Sequence, residues 1–333
     1  MRAFVIDRYK PKDGGRIVDV AAPVPSAGQV LVRIEAAGVN LVDSKIRSGE
    51  FKLILPYELP LILGNDLAGV VVEAGASVQR FKVGDEVFAR PNADSIGTFA
   101  EFIAIDEADL AIKPSSITMT EAASIPLVGL TAWQALVERA HVQPGQRVFI
   151  QAGSGGVGTF AIQLAKHLGA TVATTTSARN VKMVKRLGAD VVIDYTTQDF
   201  ESVLNGYDVV VNSQDAKTLN KSLRVVKPGG KVISISGPPD PAFGDEIGAP
   251  WFIKPILRLA SAKVRRKAKK LGVDYSFLFM RAEGVQLADI ASLIESGTIR
   301  PVVEKVVPFD STKEAIAFVE AGRAKGKVVI SMT

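Results

Sequence analysis

The N-terminal part of the chain alternates apolar and polar side chains with a period of two residues. In residues 28–35, Val30, Val32 and Ile34 occupy every second position, which is the pattern of a strand with one buried face. Residues 68–75 form a second apolar stretch that ends at a glycine, and residues 81–89 contain a Gly-Asp turn followed by a third stretch. This pattern predicts a β-rich domain.

From Val142 onward the pattern changes to short apolar stretches that alternate with helical periodicity. We predict strands at 147–152, 171–174, 190–194, 208–212, 231–236, 273–280 and 326–331, and helices at 156–168, 178–187 and 288–296. A Lys-Pro-Gly-Gly turn at 227–230 precedes one of these strands. Apolar strands separated by helices indicate a parallel sheet covered on both faces, so the predicted fold class is α/β.

A glycine-rich loop joins the first strand of this region to its helix. Residues 153–158 read Gly-Ser-Gly-Gly-Val-Gly, which matches the G-x-G-x-x-G pattern in its strand–loop–helix context. Such glycines allow backbone N–H groups to approach a pyrophosphate at a helix N-terminus. The alternative is a plain turn between strand and helix. The predicted cofactor contacts of the loop are Gly153, Ser154, Gly155, Gly156, Val157 and Gly158.

The end of the second strand favours NADPH over NADH. NAD sites place an acidic residue about 20 residues beyond the glycine loop, to bind the ribose 2′-hydroxyl. No acidic residue occurs between Gly153 and Ala189. The stretch instead offers hydroxyls and cations, of which Ser177, Arg179 and Lys182 are predicted to bind a 2′-phosphate. The alternative for Arg179 and Lys182 is a solvated helix face.

The content of metal-binding side chains excludes several kinds of chemistry. The chain has no cysteine and only two histidines, His141 and His167. Disulfides, thiolate catalysis, cysteine-ligated zinc and multi-histidine metal sites are therefore excluded.

The positive charge is concentrated in one segment. The chain has 40 Lys and Arg against 35 Asp and Glu. Eight of the cations lie between residues 254 and 270 with no acid among them: Lys254, Arg258, Lys263, Arg265, Arg266, Lys267, Lys269 and Lys270. Apolar residues between them suggest an amphipathic helix, and the alternative is a solvated helix over a cleft or at a subunit boundary.

Length and composition predict a globular protein of one large or two ordinary domains. The chain has 333 residues, of which 47% are hydrophobic and 23% charged. Asp7 interrupts the N-terminal apolar stretch too early for a secretory signal, and the longest uncharged run, 148–165, contains four glycines. We expect a cytoplasmic protein without an integral membrane span.

Several longer motifs resemble the quinone-oxidoreductase branch of the medium-chain dehydrogenase/reductases. They are residues 37–49 (AGVNLVDSKIRSG), 63–70 (LGNDLAGV), 129–133 (GLTAW), 152–158 (AGSGGVG) and 322–329 (GRAKGKVV). The resemblance implies a GroES-like β-rich catalytic domain, formed by residues 1–124 and 283–333. It also implies an inserted Rossmann domain with a doubly wound parallel sheet, residues 125–282, and a nicotinamide site between the domains.

The same resemblance assigns roles to individual residues. It places Asn40 near the nicotinamide ribose, Thr131 against the cofactor and Tyr195 beside the adenosine 2′-phosphate. Their alternatives are a turn asparagine for Asn40 and a strand-end aromatic for Tyr195, while Asp43 could hold the loop together. Ser236 follows a parallel strand, where open α/β sheets bind ligands. Residues 277–280, with Phe277 and Phe279, are expected to pass the nicotinamide amide, and Lys327 is predicted to bind the cofactor.

Departures from the zinc-dependent relatives predict which reaction remains feasible. Where those enzymes have a cysteine and a Gly-His-Glu motif, this chain has Asn40 and Gly64-Asn65-Asp66. Without a Lewis acid, hydride addition to an activated acceptor, a quinone or an enone, is the predicted reaction. The relatives often have a tyrosine where this chain has Phe51, so Tyr57 or solvent is the predicted proton donor.

Two other functions remain open at this point. One is an enoyl-thioester reductase whose basic segment receives the phosphates of coenzyme A. The other is a non-catalytic NADPH-binding protein that attaches to RNA or a membrane through that segment. We expect a small-molecule substrate and no nucleic acid, and by analogy a homodimer.

Overall fold

The structure is a computed structural model that describes residues 1–10, 14–52, 55–248, 250–322 and 324–332. Arg323, within the last motif of the family resemblance, lies outside the described residues. In chain order the strands are β1 Arg2–Ile6, β2 Arg16–Asp19, β3 Gln29–Val39, β4 Leu61–Ile62, β5 Asp66–Ala74, β6 Glu86–Ala89, β7 Phe102–Asp106, β8 Leu110–Ile112, β9 Arg147–Ile150, β10 Thr171–Thr176, β11 Val191–Asp194, β12 Tyr207–Asn212, β13 Val226–Ser234, β14 Asp274–Phe277, β15 Val303–Pro308 and β16 Lys327–Ser331.

Helices alternate with these strands along the chain, most regularly from β9 to β14. They are α1 Leu41–Ser48, α2 Met119–Ala123, α3 Pro126–Trp133, α4 Gly156–His167, α5 Val181–Arg186, α6 Phe200–Val203, α7 Ala216–Val225, α8 Pro241–Glu246, α9 Ile253–Ala260, α10 Ala262–Lys270, α11 Gly284–Glu295 and α12 Thr312–Glu320. Among the described residues, no helix has the length and apolar character needed to cross a bilayer.

The chain divides into two compact units. One contains Met1–Leu130 with Arg281–Thr333, and the other contains Thr131–Met280. The boundary between Leu130 and Thr131 falls inside helix α3, so the hydrophobic pattern of the sequence does not change at this boundary. The predicted limits, at residues 124 and 283, lie a few residues away from these positions.

The first unit is built around β3, the longest of its strands. β3 pairs antiparallel with β5, β7 and β16 in the sheet ordered β15-β16-β3-β5-β6-β8. Val30, Val32 and Ile34 are buried and belong to one hydrophobic cluster, which confirms the period-two pattern. The pairing of β3 with β16 brings the last strand of the chain beside residues 36–39.

The second unit contains a six-stranded parallel sheet in the order β11-β10-β9-β12-β13-β14. The chain runs outward from β9 to β11, then returns to the other side of β9 and continues outward to β14. The direction therefore reverses beside β9, and ligands of open α/β sheets bind outside the strand ends at such a point. The predicted doubly wound sheet and the α/β fold class are confirmed.

Five predicted elements differ from the structure. Residues 178–187, predicted as one helix, form a 3₁₀ turn at Ala178–Asn180 that is followed by α5. The predicted turn at 227–230 is an irregularity inside β13, where the pairing with β12 shifts register and Gly229 has a φ of 80°. Helix α11 begins at Gly284 rather than 288, and the strand predicted at 273–280 is shorter. The basic segment folds as two helices, α9 and α10, which meet at Ser261.

Candidate functional site

The glycine loop after β9 is held against β10 by backbone hydrogen bonds. Gly153 donates its N–H to the carbonyl of Thr175 at 2.9 Å, and Gly155 donates to the carbonyl of Ala152 at 2.9 Å. A Cβ on Gly153 would lie 2.1 Å from Oγ1 of Thr174, so only glycine fits there. This close approach of loop and strand explains the first glycine of the motif.

The N-terminus of α4 offers free backbone donors beside this loop. The helix begins at Gly156, and no backbone carbonyl of the described residues accepts the N–H groups of Gly156, Val157 and Gly158. A Cβ on Gly158 would lie 2.4 Å from the carbonyl oxygen of Ala152, which shows how closely the helix packs on the loop. Unpaired N–H groups at the positive end of a helix dipole suit a pyrophosphate. The loop residues 153–158 thus fit the phosphates of a dinucleotide.

The side chains predicted to select the cofactor lie at the adjoining ends of β10 and β11. Thr176 pairs with Asp194 in the sheet, and Tyr195 donates its N–H to the carbonyl of Thr176 at 3.2 Å. Ser177 is half-buried, whereas Arg179 and Lys182 are exposed on the turn and helix that follow. The side chain of Tyr195 is also exposed, at 64%. Cations and hydroxyls therefore surround this end of the sheet.

One carboxylate that sequence analysis left out of the site also lies at this edge. Asp194 ends β11 and accepts hydrogen bonds from the N–H and hydroxyl of Thr196, at 3.0 and 2.7 Å. These two bonds are the main reason that the pKa of Asp194 lies below its usual range. Asp194 lies beyond residues 153–189 in the sequence, and it reaches this edge because its strand, β11, pairs with β10.

Polar side chains also lie at the ends of β12 and β13, on the other side of β9 in the same sheet. Ser236 donates its hydroxyl to the carbonyl of Gln214 at 2.6 Å, and Asn212 donates from Nδ2 to Oγ of Ser234 at 2.9 Å. Buried Asp240 accepts the N–H of Phe277 at 3.1 Å. The N–H of Phe277 is therefore already hydrogen-bonded within the protein. A ligand that binds the backbone of residues 277–280 would have to use other groups of this segment.

Aromatic packing positions the segment after β14. The ring of Phe243 in α8 lies 5.1 Å from that of Phe277 and 5.6 Å from that of Phe279, measured between centroids. Phe277 is buried and Phe279 half-buried. Thr131, the remaining predicted residue of this unit, is buried on α3.

In the first unit a buried cluster joins Asn40, Asp66 and Lys327. The Lys327 ammonium donates to Oδ2 of Asp66 at 2.9 Å and to Oδ1 of Asn40. Nδ2 of Asn40 donates to the same carboxylate oxygen at 2.8 Å. The other oxygen of Asp66 accepts the N–H of Leu127 at 2.7 Å, in the first turn of α3. All three side chains are buried and hydrogen-bonded to one another, as a buried charge pair requires.

Asp43 stabilises the loop that carries Asn40. Its two carboxylate oxygens accept the backbone N–H of Asn40 and the side-chain amide of Asn65, both at 2.7 Å. Asp43 thus fixes the start of α1, in the role that the sequence suggested for it. Burial raises the pKa of Asp43 to about 7, although both hydrogen bonds act in the opposite direction.

Tyr57, the predicted proton donor, is half-buried in the first unit. Its hydroxyl donates to the carbonyl of Ala93 at 2.7 Å, and burial raises its pKa to about 12. The phenol is thus a weak acid whose proton is engaged by the protein.

The positions that hold zinc in the zinc-dependent relatives do not fit a metal here. The amide of Asn40 and the carboxylate of Asp66 are both bound to the Lys327 ammonium, which already neutralises the carboxylate. Within the described residues no group of three or more His, Cys, Asp or Glu could hold a metal ion. Amide oxygens and a lysine are also poor zinc ligands.

Family models match both ends of the chain. A model described as an alcohol dehydrogenase GroES-like domain matches residues 26–115, and one described as a zinc-binding dehydrogenase matches residues 187–330. NAD(P)H oxidoreductase RTN4IP1, mitochondrial, of Danio rerio is 35% identical over 100% of this chain and 91% of its own length. The chain belongs to the medium-chain dehydrogenase/reductase family.

Two further members of the medium-chain dehydrogenase/reductase family show how far the likeness extends. The chloroplastic NADPH-dependent alkenal/one oxidoreductase of Arabidopsis thaliana is 34% identical over 99% of this chain and 79% of its own length. The structure of the quinone oxidoreductase from Coxiella burnetii is 29% identical, with a TM-score of 0.88 over 100% of this chain and 99% of that one. The predicted family resemblance, including its quinone-oxidoreductase branch, is confirmed.

Besides Asp194, sequence reasoning missed two more residues of the site. Asp66 was noted only as a replaced position, yet it binds both Asn40 and Lys327. Asp240 was not considered, yet it holds the N–H of Phe277. Their partners lie 261 and 37 residues away along the chain, and no local pattern reports such pairs.

Proposed function

We propose that this protein is an NADPH-dependent oxidoreductase that transfers hydride to a quinone, or to the activated C=C bond of an α,β-unsaturated carbonyl, without zinc. The observation that supports it most strongly is the Asn40–Asp66–Lys327 cluster. Asn40 and Asp66 occupy positions of the zinc-binding motifs of the zinc-dependent relatives, and here both are bound to the Lys327 ammonium. The names of the Arabidopsis and Coxiella relatives, which include alkenal/one and quinone, indicate the acceptor class.

The proposed cofactor is NADPH, held by the glycine loop and by the cations at the end of β10. The free N–H groups of residues 156–158 would bind its pyrophosphate. Arg179 and Lys182, with Ser177 and Tyr195, would bind its 2′-phosphate. Bound NADPH supplies a hydride, that is, two electrons and a hydrogen nucleus.

The proposed mechanism needs no Lewis acid. Hydride adds to the β-carbon of an enone, the C=C electron pair moves to form an enolate, and a proton then adds at the α-carbon. A quinone likewise becomes a hydroquinone by taking up one hydride and one proton. The protein's residues bind and orient the two reactants, and orientation alone can contribute a large part of the acceleration.

We propose that the proton comes either from Tyr57 or from solvent. The raised pKa of Tyr57 and its hydrogen bond to Ala93 favour solvent unless substrate displaces that bond. Tyr57→Phe tests the choice. A rate reduced by about tenfold or more would support the phenol, and an unchanged rate would assign the proton to water.

We further propose a homodimer in the cytoplasm. The dimer rests on analogy, and β14 is an edge strand of the parallel sheet through which two copies could pair. Light scattering at micromolar concentration tests the dimer, and a mass of 35.4 kDa would contradict it. Fractionation of the source cells tests the location, since the RTN4IP1 and Arabidopsis relatives are named as mitochondrial and chloroplastic.

A substrate panel tests the proposed reaction. NADPH oxidation is followed with a quinone, a short-chain enone and an enoyl thioester as acceptors. Turnover of the quinone or the enone supports the proposal. Turnover of the thioester alone would identify an enoyl-thioester reductase instead, and no turnover of any acceptor would indicate a cofactor-binding protein.

A further inference from the structure

Helix α9 exposes an apolar stripe to solvent. Phe252, Ile256 and Leu259 are spaced four and three residues apart, so they lie on one side of the helix, away from buried Leu257. Their exposed fractions are 52%, 59% and 77%, and adjacent Trp251 is 82% exposed. Large apolar side chains grouped in this way on a surface indicate an interaction site.

Unpaired positive charge borders this stripe. Within the described residues no acidic side chain pairs with six cations of α9 and α10: Arg258, Lys263, Arg265, Arg266, Lys269 and Lys270. Lys254 forms an ion pair with Asp245, and Lys267 donates to Asn220. The surface formed by residues 251–270, called the basic amphipathic surface below, therefore combines apolar and cationic groups.

A broad cavity opens beside this surface. Its volume is about 1020 Å³, and Arg258, Arg265, Arg266 and Lys269 line it together with Leu259. The carboxylates of Asp240 and Asp274 also line it, but Asp240 is occupied by the N–H groups of Phe243 and Phe277. The four cations give the cavity a net positive lining, which suits phosphate groups.

We propose that the basic amphipathic surface binds the face of an anionic lipid bilayer. Phe252, Ile256 and Leu259 insert at the boundary between headgroups and acyl chains, and Trp251 lies at the headgroup level, where aromatic side chains are favoured. The cations of α9 and α10 contact lipid phosphates, some of them within the cavity. The helices lie on the bilayer and do not cross it.

The combination of groups favours a lipid over other polyanions. A nucleic acid would use the cations and could stack bases on Trp251 and Phe252, but it would leave the aliphatic side chains of Ile256 and Leu259 exposed to water. A bilayer satisfies both kinds of group at once. The proposal is independent of the reductase activity, since it concerns a surface that no proposed cofactor contact includes.

Vesicle sedimentation with the full chain tests the proposal. The protein should sediment with vesicles of phosphatidylcholine mixed with phosphatidylglycerol, and much less with phosphatidylcholine alone. The partition coefficient should fall by about tenfold or more in Ile256→Ser/Leu259→Ser and in Arg265→Glu/Arg266→Glu. Tryptophan emission should shift to the blue on binding, and Trp251→Phe should remove most of the shift.

Matched variants elsewhere on the chain provide the controls. Val83 and Val285 are 63% and 60% exposed, so Val83→Ser/Val285→Ser removes similar apolar area from another surface. Lys185→Glu/Arg186→Glu reverses the same amount of exposed charge on α5. Both controls should bind vesicles as the unmodified protein does, and NADPH oxidation should be unchanged in the Ile256/Leu259 variant.

Three results would overturn the proposal. One is equal sedimentation with the two kinds of vesicle. Another is binding that the control substitutions weaken as much as those in residues 251–270. The third is a dimer that the Ile256→Ser/Leu259→Ser variant converts to a monomer without vesicles, because the stripe would then be a subunit interface.

Discussion

The ammonium of Lys327 lies 2.9 Å from a carboxylate oxygen of Asp66, although 261 residues separate them in the sequence. Strand β16 reaches this position by pairing with β3, and β3 also pairs with β5, which begins at Asp66. Because β16 and β5 both pair with β3, they bring the buried side chains of Lys327 and Asp66 together. The pair connects the first and last parts of the first unit.

Breaking this pair should destabilise the protein strongly. Lys327→Met leaves the Asp66 carboxylate buried without its cation, and loss of one partner of a buried pair typically costs about 3–5 kcal/mol. Urea unfolding measures the change. Adding Asp66→Asn to Lys327→Met should restore part of the loss, because it removes the unpaired charge. A single variant within about 1 kcal/mol of the unmodified protein would contradict the pair's proposed role.

Cofactor preference should depend on the cations after β10. We expect NADPH to be preferred over NADH by about one to three orders of magnitude, because charge-assisted hydrogen bonds contribute about 1.5–3 kcal/mol each. Arg179→Ala/Lys182→Ala should raise KM for NADPH and leave KM for NADH nearly unchanged.

The matched control for cofactor preference is Lys185→Ala, which removes an exposed cation from the same helix as Lys182. It should leave both KM values unchanged. Equal use of the two cofactors by the unmodified protein would show that Asp194 and the surrounding hydroxyls bind a ribose rather than a phosphate.

Much of the second unit was predictable because its elements follow from local pattern. The apolar strands, the glycine loop and the order of helices are each encoded within about 20 residues. The Asn40–Asp66–Lys327 cluster was not predictable from pattern, since its members lie on elements that meet only through the pairing of β3. Asp194 was overlooked for a similar reason. It lies beside Thr176 because β10 and β11 pair in the sheet, not because the two residues are close in sequence.

Stability should depend on pH through Asp43. Its folded-state pKa, about 7, lies above that of an unfolded carboxyl, so the folded protein holds a proton that the unfolded chain releases. The associated stabilisation is complete below about pH 4 and is lost as the pH rises to about 7, on the order of 4 kcal/mol.

Urea unfolding of Asp43→Asn between these pH values tests this contribution. The variant should lack the fall in unfolding free energy that the unmodified protein shows, whereas exposed Asp289→Asn should retain it. Parallel pH profiles for the unmodified protein and Asp43→Asn would show that Asp43 is ionised in the folded state throughout.

Activity should be independent of metal. The chain has no cysteine, and Lys327 is bound to both Asn40 and Asp66. Prolonged chelation should therefore leave the rate of NADPH oxidation unchanged, and elemental analysis should find no stoichiometric zinc. Loss of activity that zinc alone restores would require a metal site built from other ligands.

The most direct test of the proposed reaction follows a labelled hydride. Protein freed of metal is given NADPH deuterated on one face of nicotinamide C4, together with a short-chain enone. We predict that one of the two labelled forms delivers deuterium to the β-carbon of the saturated product. Ethanol and benzyl alcohol should not be oxidised, because Asn40 and Asp66 are bound to Lys327 and do not fit a zinc ion that would stabilise the alkoxide. Oxidation of these alcohols in metal-free buffer, with no turnover of any enone or quinone, would contradict the account.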